Sequence, residues 1–70
     1  MKYCLSVTKS TNGIERIDTI IYKSIVDAMD HYQLEADTAE ALVMCKAHDS
    51  ITVELFRDAD LMQSVEVNRA

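Results

Sequence analysis

Residues 2–9 (KYCLSVTK) alternate, with Tyr3, Leu5 and Val7 on one face and Cys4, Ser6 and Thr8 on the other. A period of two marks a strand. Ser10-Thr11-Asn12-Gly13 follows, and Asn-Gly supplies the positive-φ pair that a tight hairpin needs. Residues 14–22 (IERIDTIIY) read as the return strand, rich in β-branched side chains. Ile17, Thr19 and Ile21 fall on one face, Ile20 and Tyr22 on the other. A strand apolar on both faces is either covered twice or offers one side to a partner.

The period then changes. Ser24 is placed to cap a helix by accepting from the amide of Asp27, and Asp27 also suits the positive end of the helix dipole. Ile25, Met29, Tyr32 and Ala36 recur every three or four residues and form an apolar stripe. Asp27, Asp30, His31 and Glu35 fall on the outer side, with His31 four residues from Asp27. The spacing predicts a helix over about 24–36.

Residues 37–48 read two ways. Asp37-Thr38-Ala39-Glu40 has the form of a capping box, which would open a second helix at about 38–48. The preferred reading is a strand over 42–48 turning at Asp49-Ser50, because the next segment needs a neighbour to pair with. That segment, 51–57 (ITVELFR), alternates cleanly, with Ile51, Val53 and Leu55 on one face. Asp58-Ala59-Asp60 is turn-like, and 61–67 (LMQSVEV) would add a fifth, edge strand with Val65 and Val67 inward. The fold class expected is α+β: a small antiparallel sheet in the order β-β-α-β-β, with one helix packed on one face. The uncovered face would carry Phe56 and Ile20, Tyr22 beside Ile20, and Met44 or Met62. A two-fold homodimer that closes this face or pairs free edges is the simplest remedy.

Seventy residues make one small domain. A core of this size rarely supplies more than about 3–5 kcal/mol. With 49% hydrophobic residues, some apolar surface should meet a second copy or a partner. Cys4 and Cys45 form no CxxC pair and no disulfide framework, so both are read as free thiols of a cytoplasmic protein. Neither a secretory leader nor a membrane span is read from the chain.

Charge alters the picture most. Residues 1–23 hold four basic and two acidic side chains; residues 24–70 hold three and ten. No Lys or Arg lies between Lys23 and Lys46. Binding nucleic acid requires clustered positive charge, so direct DNA or RNA binding is not expected. One glycine cannot build a phosphate-cradling loop. Cys45 and His48 are three apart but lack a second ligand pair, so no metal is expected. An acidic field does not activate a thiol. The expectation is therefore no cofactor, no catalytic residue and no enzyme.

What remains is the acidic run Asp27, Asp30, Glu35, Asp37 and Glu40, either a solvated face or a docking surface for a protein with a basic patch. The preferred function is a small regulatory protein that binds and modulates another protein through these acids, or through Ile20, Tyr22 and Phe56. Accessory proteins of phages and mobile elements share this size and charge, without a shared motif. Two alternatives are an antitoxin-like partner whose hairpin completes a toxin's sheet, and a thiol-based or small-ligand sensor using Cys4 or Cys45.

Overall fold

The computed structural model describes residues 1–69. Four strands and one helix follow in order: β1 (Tyr3–Thr11), β2 (Ile14–Tyr22), α1 (Ile25–Met44), β3 (Ser50–Arg57) and β4 (Asp60–Asn68). The strands form one antiparallel sheet in the order β2-β1-β3-β4. The fold is a small α+β domain with its helix on one face of the sheet.

Asn12 and Gly13 take the positive φ values of 53° and 80°. They close β1 on β2 so that Thr11 pairs with Ile14 and Leu5 with Ile20. The second hairpin turns through Asp58, at φ 53°. Its turn is clasped to the start of the chain: Asp58 N–H donates to the carbonyl of Lys2 (2.7 Å), and Lys2 N–H donates to Asp58 Oδ1 (3.0 Å). An extra residue, Met62, bulges from β4 where the register slips beside Phe56.

The core lies between α1 and the two central strands. Leu5 and Val7 of β1 and Ile51, Val53 and Leu55 of β3 are buried, as alternation along each strand requires. Ala28, Tyr32, Ala39 and Val43 face them from the helix. Two alanines in that stripe let the helix sit close to the sheet. Burial of Tyr32 pushes its phenol above its ordinary range.

The helix departs from the expected 24–36. It runs unbroken to Met44, so 42–48 is not a strand and no second helix begins near 38. The apolar stripe simply continues from Tyr32 through Ala39 to Val43. The side chains read as a new cap serve the same helix: Thr38 Oγ1 donates back to the carbonyl of Leu34 (2.8 Å), and Gln33 Nε2 donates to Asp37 Oδ1 (3.0 Å). Strand β3 finds its neighbour in β1, whose second edge was free, so 42–48 was not needed. The outer partner of β3 is 60–68, so the expected optional fifth strand is the fourth.

Ser24 is the N-cap in extended conformation, yet its hydroxyl makes no capping bond. The helix ends at Cys45. The Lys46 amide bonds the Val43 carbonyl and the Ala47 amide the Leu42 carbonyl, both at 3.0 Å. This paired closure needs a left-handed residue, and here it is Lys46, at φ 62°.

Candidate functional site

Register decides which side chains share a surface. Directly paired residues of an antiparallel sheet point to the same side. Ile20 pairs with Leu5 and Tyr22 with Tyr3, so both lie on the helix side, not on the open face where Ile20 was expected beside Phe56. The apolar row of the open face is instead Ile21, Cys4, Phe56 and Leu61, one residue from each strand in sheet order. The next row, Thr19, Ser6, Glu54 and Ser64, is polar; beyond it Thr8, Ser10, Ser50 and Thr52 stand with Glu15, Glu66 and Asn68 around one exposed apolar side chain, Ile17. The open face is thus apolar chiefly at one end, with Ile17 a lone apolar side chain on its β2 edge. Cys4 lies in it and Cys45 caps the helix across the sheet; both are free.

Tyr22 has a definite task. Its hydroxyl lies 2.5 Å from His31 Nδ1, and the rings meet edge to face, with centroids 5.7 Å apart. The other ring nitrogen, Nε2, lies 3.1 Å from Glu35 Oε1. In the neutral tautomer the hydroxyl donates to Nδ1 and Nε2–H donates to Glu35. His31 is thereby half-buried, paired with Glu35 rather than with Asp27. This chain fastens α1 to the outermost strand. Sequence reading missed it because His31 and Glu35 were placed on the outer side of the helix and Tyr22 on a separate strand.

The acidic run therefore divides. Glu35 is turned inward to His31. Asp27, Asp30, Asp37 and Glu40 are exposed. Asp30, Leu34, Asp37 and Ala41 follow one line of helical spacing opposite the buried stripe, and so form the crest of the helix. Asp27 and Glu40 flank it. Leu34 and Val26 are each 63% exposed and Met44 74%. The crest is an acidic ridge studded with apolar side chains, and only its acids were legible beforehand. Phasing the expected helix fully would have found Leu34, and continuing the phase through residue 44 would have found Met44.

Two shallow clefts lie on the helix side of the sheet. One, of about 380 Å³, is lined by Glu40, Met44 and Lys46 at the helix end and by Val67 and Arg69. The other, of about 360 Å³, lies on the helix side of the first hairpin beyond the helix's reach, among Lys9, Arg16, Asp18 and His48. There Lys9 and Arg16 stand directly opposite each other across β1 and β2, a like-charge pair. His48 Nδ1 is 2.8 Å from Thr11 Oγ1. Nearby, Asp49 Oδ2 accepts from the backbone amide of Asn12 (2.8 Å) and Oδ1 from Arg69 (3.1 Å). The Asn12 amide first, then the Arg69 guanidinium, hold the Asp49 carboxyl below its ordinary range.

Among the described residues, no three His, Cys, Asp or Glu side chains converge as a metal site would require. None of the described helices is long and apolar enough to cross a membrane. Comparison with protein-family models, with curated proteins and with solved structures finds no match to this chain.

Proposed function

We propose that this chain is a small protein-docking module that binds and modulates another protein, seating the acidic crest of α1 against a basic surface, and that it works by binding rather than by catalysis. The observation that supports this most is the composition of the crest. Asp27, Asp30, Asp37 and Glu40 are exposed together, no Lys or Arg lies between Lys23 and Lys46, and Val26, Leu34 and Met44 stand among the acids. Carboxylates steer and orient an encounter with a basic partner. Exposed apolar side chains between them supply the contact area that charge alone does not. A solvated face needs only the acids; it has no use for Leu34.

A photo-crosslinking residue at Leu34, introduced in the native host, tests this reading. Adducts with one partner are expected from position 34 and not from Thr52 on the open sheet face. They should vanish when Asp27, Asp30 and Asp37 are reversed to Lys in a chain that keeps its circular dichroism. Adducts that survive the reversal would sink the proposal.

A further inference from the structure

Strand β2 is the outer strand at one side of the sheet, and its far edge is bare. Eight of its nine residues are exposed; only Tyr22 is partly covered. Ile14 is 70% exposed and Ile17 63%. Natural edge strands are usually blunted by proline, a bulge or charged side chains, lysine above all. The chain has no proline, the β1–β2 register is regular throughout, and β2 contains no lysine; its charges, Glu15, Arg16 and Asp18, are of both signs.

The order of chemistry along this edge is self-complementary. Residues 14–20 read Ile, Glu, Arg, Ile, Asp, Thr, Ile. Folded about Ile17, the segment matches itself in antiparallel sense: Ile14 meets Ile20, Glu15 meets Thr19, Arg16 meets Asp18, and Ile17 meets Ile17. The backbone phase agrees. A two-residue loop makes Thr11 and Ile14 a hydrogen-bonded pair, so by alternation Glu15, Ile17, Thr19 and Ile21 aim their N–H and C=O groups outward. Pairing centred on Ile17 sets outward residue against outward residue and yields about six new backbone hydrogen bonds over 15–19. Arg16 and Asp18 then fall at the closer, non-hydrogen-bonded positions, where side chains meet most tightly.

Neighbouring registers are worse. Centring on Asp18 would set that carboxylate against its own copy, and a one-residue slip would put the helix face of one protomer beside the open face of the other. Within the protomer, Arg16 faces Lys9, and among the described residues neither Arg16 nor Asp18 has an ion-pair partner. The second copy supplies what each lacks.

We infer that β2 pairs with β2 of a second copy, antiparallel and centred on Ile17, to give a two-fold dimer with one continuous eight-stranded sheet closed by two Arg16–Asp18 ion pairs. This interface is separate from the helix crest and does not depend on the docking role.

Sedimentation equilibrium of the purified chain tests it alone. A monomer–dimer equilibrium is expected. Arg16→Asp places like charges opposite each other twice and should weaken the dimer by roughly tenfold or more. The doubly exchanged variant Arg16→Asp/Asp18→Arg restores both pairs in the same register and should recover most of that loss. Ile17→Lys, which sets two lysines face to face at the axis, should leave a folded monomer. All three positions are exposed, and circular dichroism reports whether each variant folds. A chain that stays monomeric at high concentration overturns the inference. So does a dimer indifferent to Arg16→Asp and Ile17→Lys, or an exchanged variant no tighter than Arg16→Asp alone.

Discussion

Replacing Lys46 with glycine should stabilise this protein, although it removes a side chain and a favourable charge. Lys46 follows the helix C-cap at φ 62°, held there by the paired amide bonds of Lys46 and Ala47 to the carbonyls of Val43 and Leu42. An L-residue in the left-handed region carries roughly 1–2 kcal/mol of strain. Glycine removes the strain but loses about 0.5–1 kcal/mol more backbone entropy on folding, leaving a net gain of about 0.5–1 kcal/mol. The ammonium group at an exposed helix C-terminus is worth about 0.3 kcal/mol, which the substitution forfeits. Lys46→Gly should therefore gain about 0.5 kcal/mol over the natural chain, a rise of roughly 2–4 °C in Tm for a domain of this size. Lys46→Ala forfeits the charge and keeps the strain, so glycine should exceed alanine by about 0.5–1 kcal/mol. Urea and thermal unfolding by circular dichroism, at one fixed protein concentration because self-association shifts Tm, read both differences. A glycine variant no more stable than the alanine variant would refute the strain argument.

Leu55 is fully buried between the central strands and the helix. Leu55→Ala should cost about 2–5 kcal/mol, comparable to the whole stability of a 70-residue domain, and leave the chain largely unfolded by circular dichroism. Tyr22→Phe removes the hydroxyl beside His31 and should cost about 0.5–1.5 kcal/mol in urea unfolding, because the ring nitrogen is only half-buried and water replaces part of the bond. Asp49 has a folded pKa below its unfolded one, so its contribution is present above about pH 4 and is lost as pH falls through the depressed value. Asp49→Asn should accordingly narrow the stability gap to the natural chain as pH falls from about 6 to about 3, and an unchanged gap would contradict it. Hydrogen exchange at the Ile17 and Thr19 amides should slow as protein concentration rises, since those amides face solvent in a single chain; concentration-independent exchange would leave the edge unpaired.

The first hairpin was legible because its signals are local, whereas the second was read only as an optional edge strand after 51–57. Asn12-Gly13 sets positive φ, and the alternation on either side sets the strands. The same turn also fixes register, since a two-residue loop makes Thr11 pair with Ile14 and hence Leu5 with Ile20. Ile20 was assigned to the open face because β2 was read for its own alternation and not aligned back across the turn. The helix end was hidden for a different reason. Its stop is a left-handed lysine, and nothing in the identity of Lys46 announces that conformation as a glycine would. Asp37-Thr38 looked like a start because a side chain that caps a new helix and one that bonds back along an old helix have the same composition. Strand pairing with β1 is non-local: β3 lies some forty residues away along the chain, and no local pattern says which edge it will join. Of the expected site, the exposed acids were readable from spacing. The inward turn of Glu35 was not, because it depends on Tyr22 arriving beside His31 from another element.

The proposed edge pairing and crest docking would reinforce one another through symmetry. Pairing centred on Ile17 sets same-face residues opposite each other, so the two-fold axis stands perpendicular to the sheet and both helices rise from the same side. The crests of the two protomers then face one way, with Asp27, Asp30 and Asp37 presented twice. A partner with one basic patch gains little from this. A partner with two patches at matching separation gains the second contact as an intramolecular step, at an effective concentration far above that of free protein in solution. The open face behaves differently. Its apolar row of Ile21, Cys4, Phe56 and Leu61 occupies one end, while Glu54, Glu66 and the surrounding hydroxyls keep the rest hydrated apart from Ile17 at the β2 edge. Face-to-face stacking of two such sheets would bury those polar groups, and each left unsatisfied costs about 1–3 kcal/mol. Edge pairing instead adds a partner to backbone groups already aimed outward, and it gives β2, the strand with the least burial of its own, a second neighbour.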